Sequence, residues 1–171
     1  MAISLYDASV GTYLQLITST LSVLDKARVF CEENGRSVES LLDDALCDDM
    51  FPLSFQLRSV VHHSLGCIKG LEKGLFTPPT PETLTFDELY QRIVDAKTTL
   101  EAVEPQSVNG LADNPMMFKM TGVELPFTAE NFVMSFSLPN FYFHTSMVYA
   151  LLRKAGVPIG KVDFLGPMKM G

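Results

Sequence analysis

His62, His63 and His144 are the only histidines in the chain, and histidine is the side chain that ordinarily exchanges protons near neutral pH. His144 stands in the most apolar stretch, residues 132–154, FVMSFSLPNFYFHTSMVYALLRK. It shares one helical side with Ser137 and Asn140, at positions i, i+3 and i+7. A helix this apolar belongs inside a bundle, and a polar line on it needs internal partners or a ligand. In the chemical reading, His144 is a general acid or base facing a substrate. In the structural reading, its imidazole is hydrogen-bonded to Asn140, Ser137 or Gln56. Gln56 and His63 lie seven apart on a second helix and are expected to face the interior together, with His62 directed elsewhere. A His63–His144 pair with Asp49 nearby would make a partial metal site.

Other reactive side chains have plainer readings. Asp48 and Asp49 precede Met50-Phe51-Pro52 and suit the cap of a helix opened by the proline. Tyr6, Tyr13, Tyr142 and Tyr149 lie on apolar faces, where a phenol is ordinarily a core residue with its hydroxyl at an edge. Cys67, in mid-helix, lacks the cation or helix N-terminus that activates a thiol. Lys161 and Asp163 are expected to pair with each other. Pro139 removes one helical hydrogen bond and frees a carbonyl near Ser135. A bend there would open space beside Asn140.

The elements that must carry these residues follow from period and punctuation. Apolar residues from Tyr6 to Cys31 recur at helical spacing until Asn34-Gly35, predicting a first helix over residues 3–33. Residues 36–50 form a connection with one short turn at 38–42. A second helix spans about 51–73 and stops at Gly74. Thr77-Pro78-Pro79-Thr80-Pro81 is a stiff extended crossover. Thr85 caps a third helix over about 86–103, closed by Glu104-Pro105. The runs MMFKM and VELPF, hinged at Thr121-Gly122, predict a β-hairpin. Thr128 opens the fourth helix and Gly156 ends it. The tail, residues 156–166, is expected to be an ordered loop. These elements describe an all-α up-down bundle with a small hairpin before the last helix, as one domain over residues 1–171.

A 47% hydrophobic, 19% charged composition is that of an ordinary globular chain. Net charge −7 speaks against nucleic acid or anionic membrane as main partner, and no apolar run is long enough to span a bilayer. The start carries no secretory signal, and three widely spaced cysteines suit reduced thiols, so a cytoplasmic location is expected. Twelve Phe and nine Met, with no Trp, give a soft interior able to hold an apolar small molecule.

DMFPL at 49–53, LPNFYFH at 138–144, YALLRKAGV at 149–157 and IGKVDFLG at 159–166 resemble an uncharacterised domain family related to the DinB/YfiT-like bundle proteins. The start, SLYDASVGTYLQLI, fits the same family. The resemblance implies an up-down-down-up four-helix bundle, commonly a homodimer. Metal-bound and thiol-dependent transferases or isomerases occur in the wider group, and their metal-ligand positions correspond here to Gln56, Asn140 and His144. Two of the three are carboxamides, poor donors for Zn²⁺ or Ni²⁺. The expectation is therefore a cofactor-free small-molecule enzyme or binder. His144 would move a proton in an isomerisation, cyclisation or elimination while Asn140 and Gln56 hold a carbonyl or enolate oxygen. The rival readings are a metal- or thiol-dependent transferase and a non-catalytic dimeric bundle.

Overall fold

The computed structural model describes residues 3–170. A π turn, Asp7–Gly11, runs without a break into α1, Thr12–Glu33. Its inward residues Tyr13, Leu16, Ile17, Leu24, Ala27 and Cys31 repeat at helical spacing and are all buried. The connection carries one 3₁₀ turn, Val38–Leu41. Next come α2, Leu53–Val61, a second π turn, His62–Gly66, and α3, Cys67–Lys73, as one rod.

The start of α2 differs from the sequence expectation. Its cap residue is Pro52, with no side-chain cap, and Asp48 and Asp49 are exposed in the preceding turn. Instead, the Leu53 and Ser54 N–H groups donate to the Asp44 and Leu42 carbonyls. The connection folds back and satisfies the helix end with backbone, so no carboxylate is needed.

Gly74, at φ 66°, closes α3 in a conformation open to glycine, and a Cβ there would also meet the Pro115 carbonyl at 3.1 Å. The chain leaves it as β1, Leu75–Phe76. After the extended crossover, Thr85 and Glu88 form a capping box for α4, Phe86–Glu101. A short α5, Pro105–Asn109, follows α4, since proline suits a first helical position. The predicted hairpin forms as β2, Pro115–Met120, and β3, Val123–Thr128, and it gains a third strand because β1 pairs parallel with Met117 and Phe118. The fold is thus mostly helical with a three-stranded sheet.

Thr128 accepts from the Asn131 N–H to open the last rod, which joins α6, Ala129–Phe132, a third π turn, Val133–Ser137, and α7, Leu138–Lys154. The tail is not purely loop: α8, Lys161–Leu165, packs on α1 while Val157 and Ile159 are buried. Asp163 accepts from Lys26 of α1 at 2.5 Å rather than pairing with Lys161. Both α1 and α2 pack against α4 and α7, and this arrangement encloses one apolar core. Full burial of each large apolar side chain contributes about 1.5–3 kcal/mol.

Candidate functional site

The polar line of the last rod divides into three fates. Ser137 is fully buried: its hydroxyl donates to the His63 carbonyl at 2.9 Å and accepts from the Tyr13 hydroxyl at 3.2 Å. The acceptor belongs to the π turn of the second rod, and such turns loosen the regular helical ladder. Asn140 is half-buried, and its Nδ2 donates to the Phe136 carbonyl at 2.7 Å, one turn back on its own rod. That bond lies in the turn thinned by Pro139, which has no N–H to give. Ser135 likewise donates to the Asn131 carbonyl.

His144 meets Gln56. Their Nδ1 and Oε1 atoms are 2.7 Å apart, and Gln56 Nε2 donates to the Phe51 carbonyl at 2.9 Å. The Phe51 carbonyl can only accept, so the amide nitrogen of Gln56 must face it and the amide oxygen must face His144. Hydrogen-bond logic therefore puts the His144 proton on Nδ1 and leaves Nε2 a lone pair. Gln56 is itself 2% exposed, so this orientation is locked by packing.

His62 and His63 open the π turn at His62–Gly66, and the three histidines form a row with His63 in the middle. The His63 ring lies 5.3 Å from His62 and 5.5 Å from His144, centroid to centroid. Phe76 of β1 packs on His62 at 4.2 Å and His63 at 5.4 Å, so the strand missed in the sequence is one wall of the cluster. A Cβ at Gly66 would meet His62 Nδ1 at 3.2 Å, so a larger residue there would press on that ring. Phe55 and Phe143 approach His144 at 5.9 and 5.3 Å, and Phe51 stacks on Phe55 at 4.1 Å.

Desolvation pushes every imidazole toward its neutral form. It lowers His144 to about 4, with the charge of His62 adding to the effect. His63 falls to about 3, mainly by burial and then by its two histidine neighbours. His62 falls to about 4 by burial, opposed by a backbone interaction at Thr77. At pH 7 the cluster is three neutral rings. Burial also pushes the Cys67 thiol up to about 11, despite hydrogen bonding with Ser137 and Tyr13, which makes it a poor nucleophile.

A metal does not fit the positions that the DinB-like resemblance assigns. Gln56 has one end on His144 and the other on Phe51, and Asn140 is tied to Phe136, so the set offers one free imidazole nitrogen. Among the described residues, no group of three or more His, Cys, Asp or Glu could hold a metal ion, and Asp49 makes no such group with His63. The larger grooves also lie elsewhere. One of about 480 Å³ touches Pro139, but on the Met134–Tyr142 side, against Leu5 and Ala8, and not beside Asn140.

A family described as a domain of unknown function (DUF1993) matches residues 5–165. The chain belongs to that family. Among solved structures, this family member is similar to a DinB family member protein from Shewanella denitrificans, with 28% identity over 98% of this chain and 94% of that one, at a TM-score of 0.81. The relation to DinB-like proteins expected from the PNFYFH and GKVDFLG blocks is therefore present across the whole fold. No curated protein matches the chain. No helix among the described residues is long and apolar enough to cross a membrane.

Proposed function

We propose that the chain binds a small, largely apolar molecule over the aromatic face of Phe51, Phe55 and Phe143, with His144 Nε2 as its polar contact. The observation that carries this reading is the Phe51–Gln56–His144 relay, which fixes the tautomer of a neutral imidazole and leaves its second nitrogen uncommitted. Phe51 and Phe143 are 63% and 50% exposed, which suits a surface that receives a ligand.

In this reading His144 acts as a metal-independent base in an isomerisation or cyclisation. A conjugate acid near 4 keeps the base form fully populated at neutral pH and releases a captured proton quickly. Such a base suits an already acidic proton, as on an enol or on a carbon between two carbonyls. Gln56 is the positioning residue, and Asn140 offers its amide oxygen and second N–H at the rim. The framework we propose is an up-down-down-up bundle in a single domain, assembled as a homodimer through exposed aromatic residues. Three free cysteines support a reducing, cytoplasmic setting.

The test is a fragment screen of apolar enols and 1,3-dicarbonyls, read at the imidazole nitrogens by long-range proton–nitrogen NMR. Binders are expected to shift His144 Nε2, to lose affinity in His144→Gln, and to keep the fold there. Binders that saturate the protein while leaving the His144 nitrogens unmoved would overturn the reading.

A further inference from the structure

A second cleft, on the other side of His62, has a different chemistry. It measures about 230 Å³ and lies between the second rod and α4, closed by the crossover at Pro79 and Glu82. Arg58, Lys69 and Arg92 line it, three of thirteen cationic side chains on a chain of net charge −7. Arg92 is neutralised there, its guanidinium forked onto the Glu82 carboxylate with Nη2 to Oε2 at 2.9 Å, and the Arg58 charge also draws on that carboxylate from beyond ion-pair contact. Arg58 Nη1 donates to the Glu82 backbone carbonyl at 2.6 Å, a neutral acceptor, and no carboxylate pairs with Arg58 or Lys69 among the described residues.

Buried polar atoms without partners point to the same place. Three side-chain nitrogens among the described residues are in that condition: Arg58 Nε, His62 Nε2 and His63 Nδ1. The first two belong to residues that line this cleft. Of the two, Arg58 Nε always carries a proton, and a buried N–H without an acceptor costs about 1–3 kcal/mol, more on a charged group, which favours an occupant that accepts hydrogen bonds. The remaining lining, Val61, Leu65, Pro79 and Leu89, is apolar. The volume lies below the 300–1,000 Å³ usual for drug-sized ligands, which suits one ring and excludes a nucleotide.

We propose that this cleft binds a small aromatic or branched carboxylate, its anionic head on Arg58 and Lys69 and its body against Val61, Leu65 and Leu89. The head supplies an acceptor to the Arg58 guanidinium, whose Nε–H has none within the protein. A planar carboxylate matches the guanidinium fork of Arg58, and the Lys69 ammonium adds charge from the rim. The site is independent of the His144 reading and stands or falls by its own test.

The probe is benzoate, titrated into isotope-labelled full-length protein at low salt, with benzamide as the neutral control of the same shape. The Arg58 Nε–Hε resonance reports directly on the orphaned donor. Saturable shifts of that resonance and of amides around residues 61–69 and 79–92 are expected at up to about 10 mM benzoate, the affinity range of small fragments. Benzamide is expected to leave them unmoved. Arg58→Lys, which keeps the charge and removes the Nε–H, should weaken binding about tenfold. Lys69→Ala, at an exposed position that leaves the fold intact, should weaken it about threefold. Non-saturating shifts, equal shifts with benzamide, or unchanged affinity in both variants would each overturn the proposal.

Discussion

Ser137 and His144 stand two turns apart on one face of one rod, yet they end in opposite conditions. The Ser137 hydroxyl is sealed in the core with both its donor and acceptor functions used, between Tyr13 and the π turn at His63. His144 is held by one nitrogen only, and its neighbours Phe51 and Phe143 are open to solvent. A buried polar group fully bonded inside the protein specifies packing, whereas one bonded on a single side keeps a valence for something else. The comparison separates the structural end of the polar line from its chemical end.

Two phenylalanines probe that division most strongly. Phe141 is fully buried and meets Tyr13 edge-on at 4.9 Å, while Phe143 is half exposed. Phe141→Ala is expected to cost about 3–5 kcal/mol in denaturant unfolding. Phe143→Ala should stay below about 1 kcal/mol, losing ligand contacts rather than stability. Equal losses would erase the distinction between the two ends.

Ser137→Ala is expected to cost about 2 kcal/mol, because it removes the oxygen acceptor of the Tyr13 hydroxyl and the side-chain donor to the His63 carbonyl together. Tyr13→Phe should cost about 1 kcal/mol, since Ser137 keeps its bond to His63. If the second change proved the more costly, Ser137 would not be the hub of the closed end.

The histidine cluster makes stability depend on acid. Its folded pKa values, about 4, 3 and 4, lie below the unfolded value of about 6.5. The unfolded chain therefore binds more protons in that interval, and stability rises with pH. The contribution is complete above about pH 6.5 and is lost as pH falls through the window toward 4–3. Each histidine adds a slope of about 1.4 kcal/mol per pH unit within its window. His144→Gln should flatten the unfolding-versus-pH curve by one such slope. Imidazoles titrating near 6.5 in the folded protein would contradict this. The smallest effect is expected at Asp48 and Asp49: both are exposed, neither caps α2, and alanine at either should change stability by less than about 0.5 kcal/mol.

Much of the candidate site was legible before the fold was known. The apolar stretch around His144 and its polar line are visible at helical spacing, and Gln56 was among the partners that spacing allows. The joining of all three histidines was not legible. His62 reaches His63 as its chain neighbour, at the 5.3 Å that also separates Phe143 from His144, and His144 joins them from the other rod. The wall at Phe76 was hidden for another reason: a two-residue strand has no alternation to read, and it exists through pairing with Met117 and Phe118. The cationic cleft was out of reach as well: Arg58 and Lys69 share the second rod, but Arg92 of α4 and the crossover at Pro79 and Glu82 meet them only through tertiary packing.

The sequence by itself determined what depends on near neighbours. These features are the long helical rods, the Thr85 and Thr128 caps, the proline crossover, the hairpin and the apolar faces, all governed by hydrogen bonds and side-chain periods spanning a few residues. Tertiary structure alone decided which polar group each buried side chain meets. It gave Ser137 to His63, His144 to Gln56 and Asp163 to Lys26, and it left Arg58 Nε without a partner. The physical reason is that a hydrogen bond forms over about 3 Å, whereas a π turn or a returning strand displaces side chains by more than that without any strong mark in the local sequence.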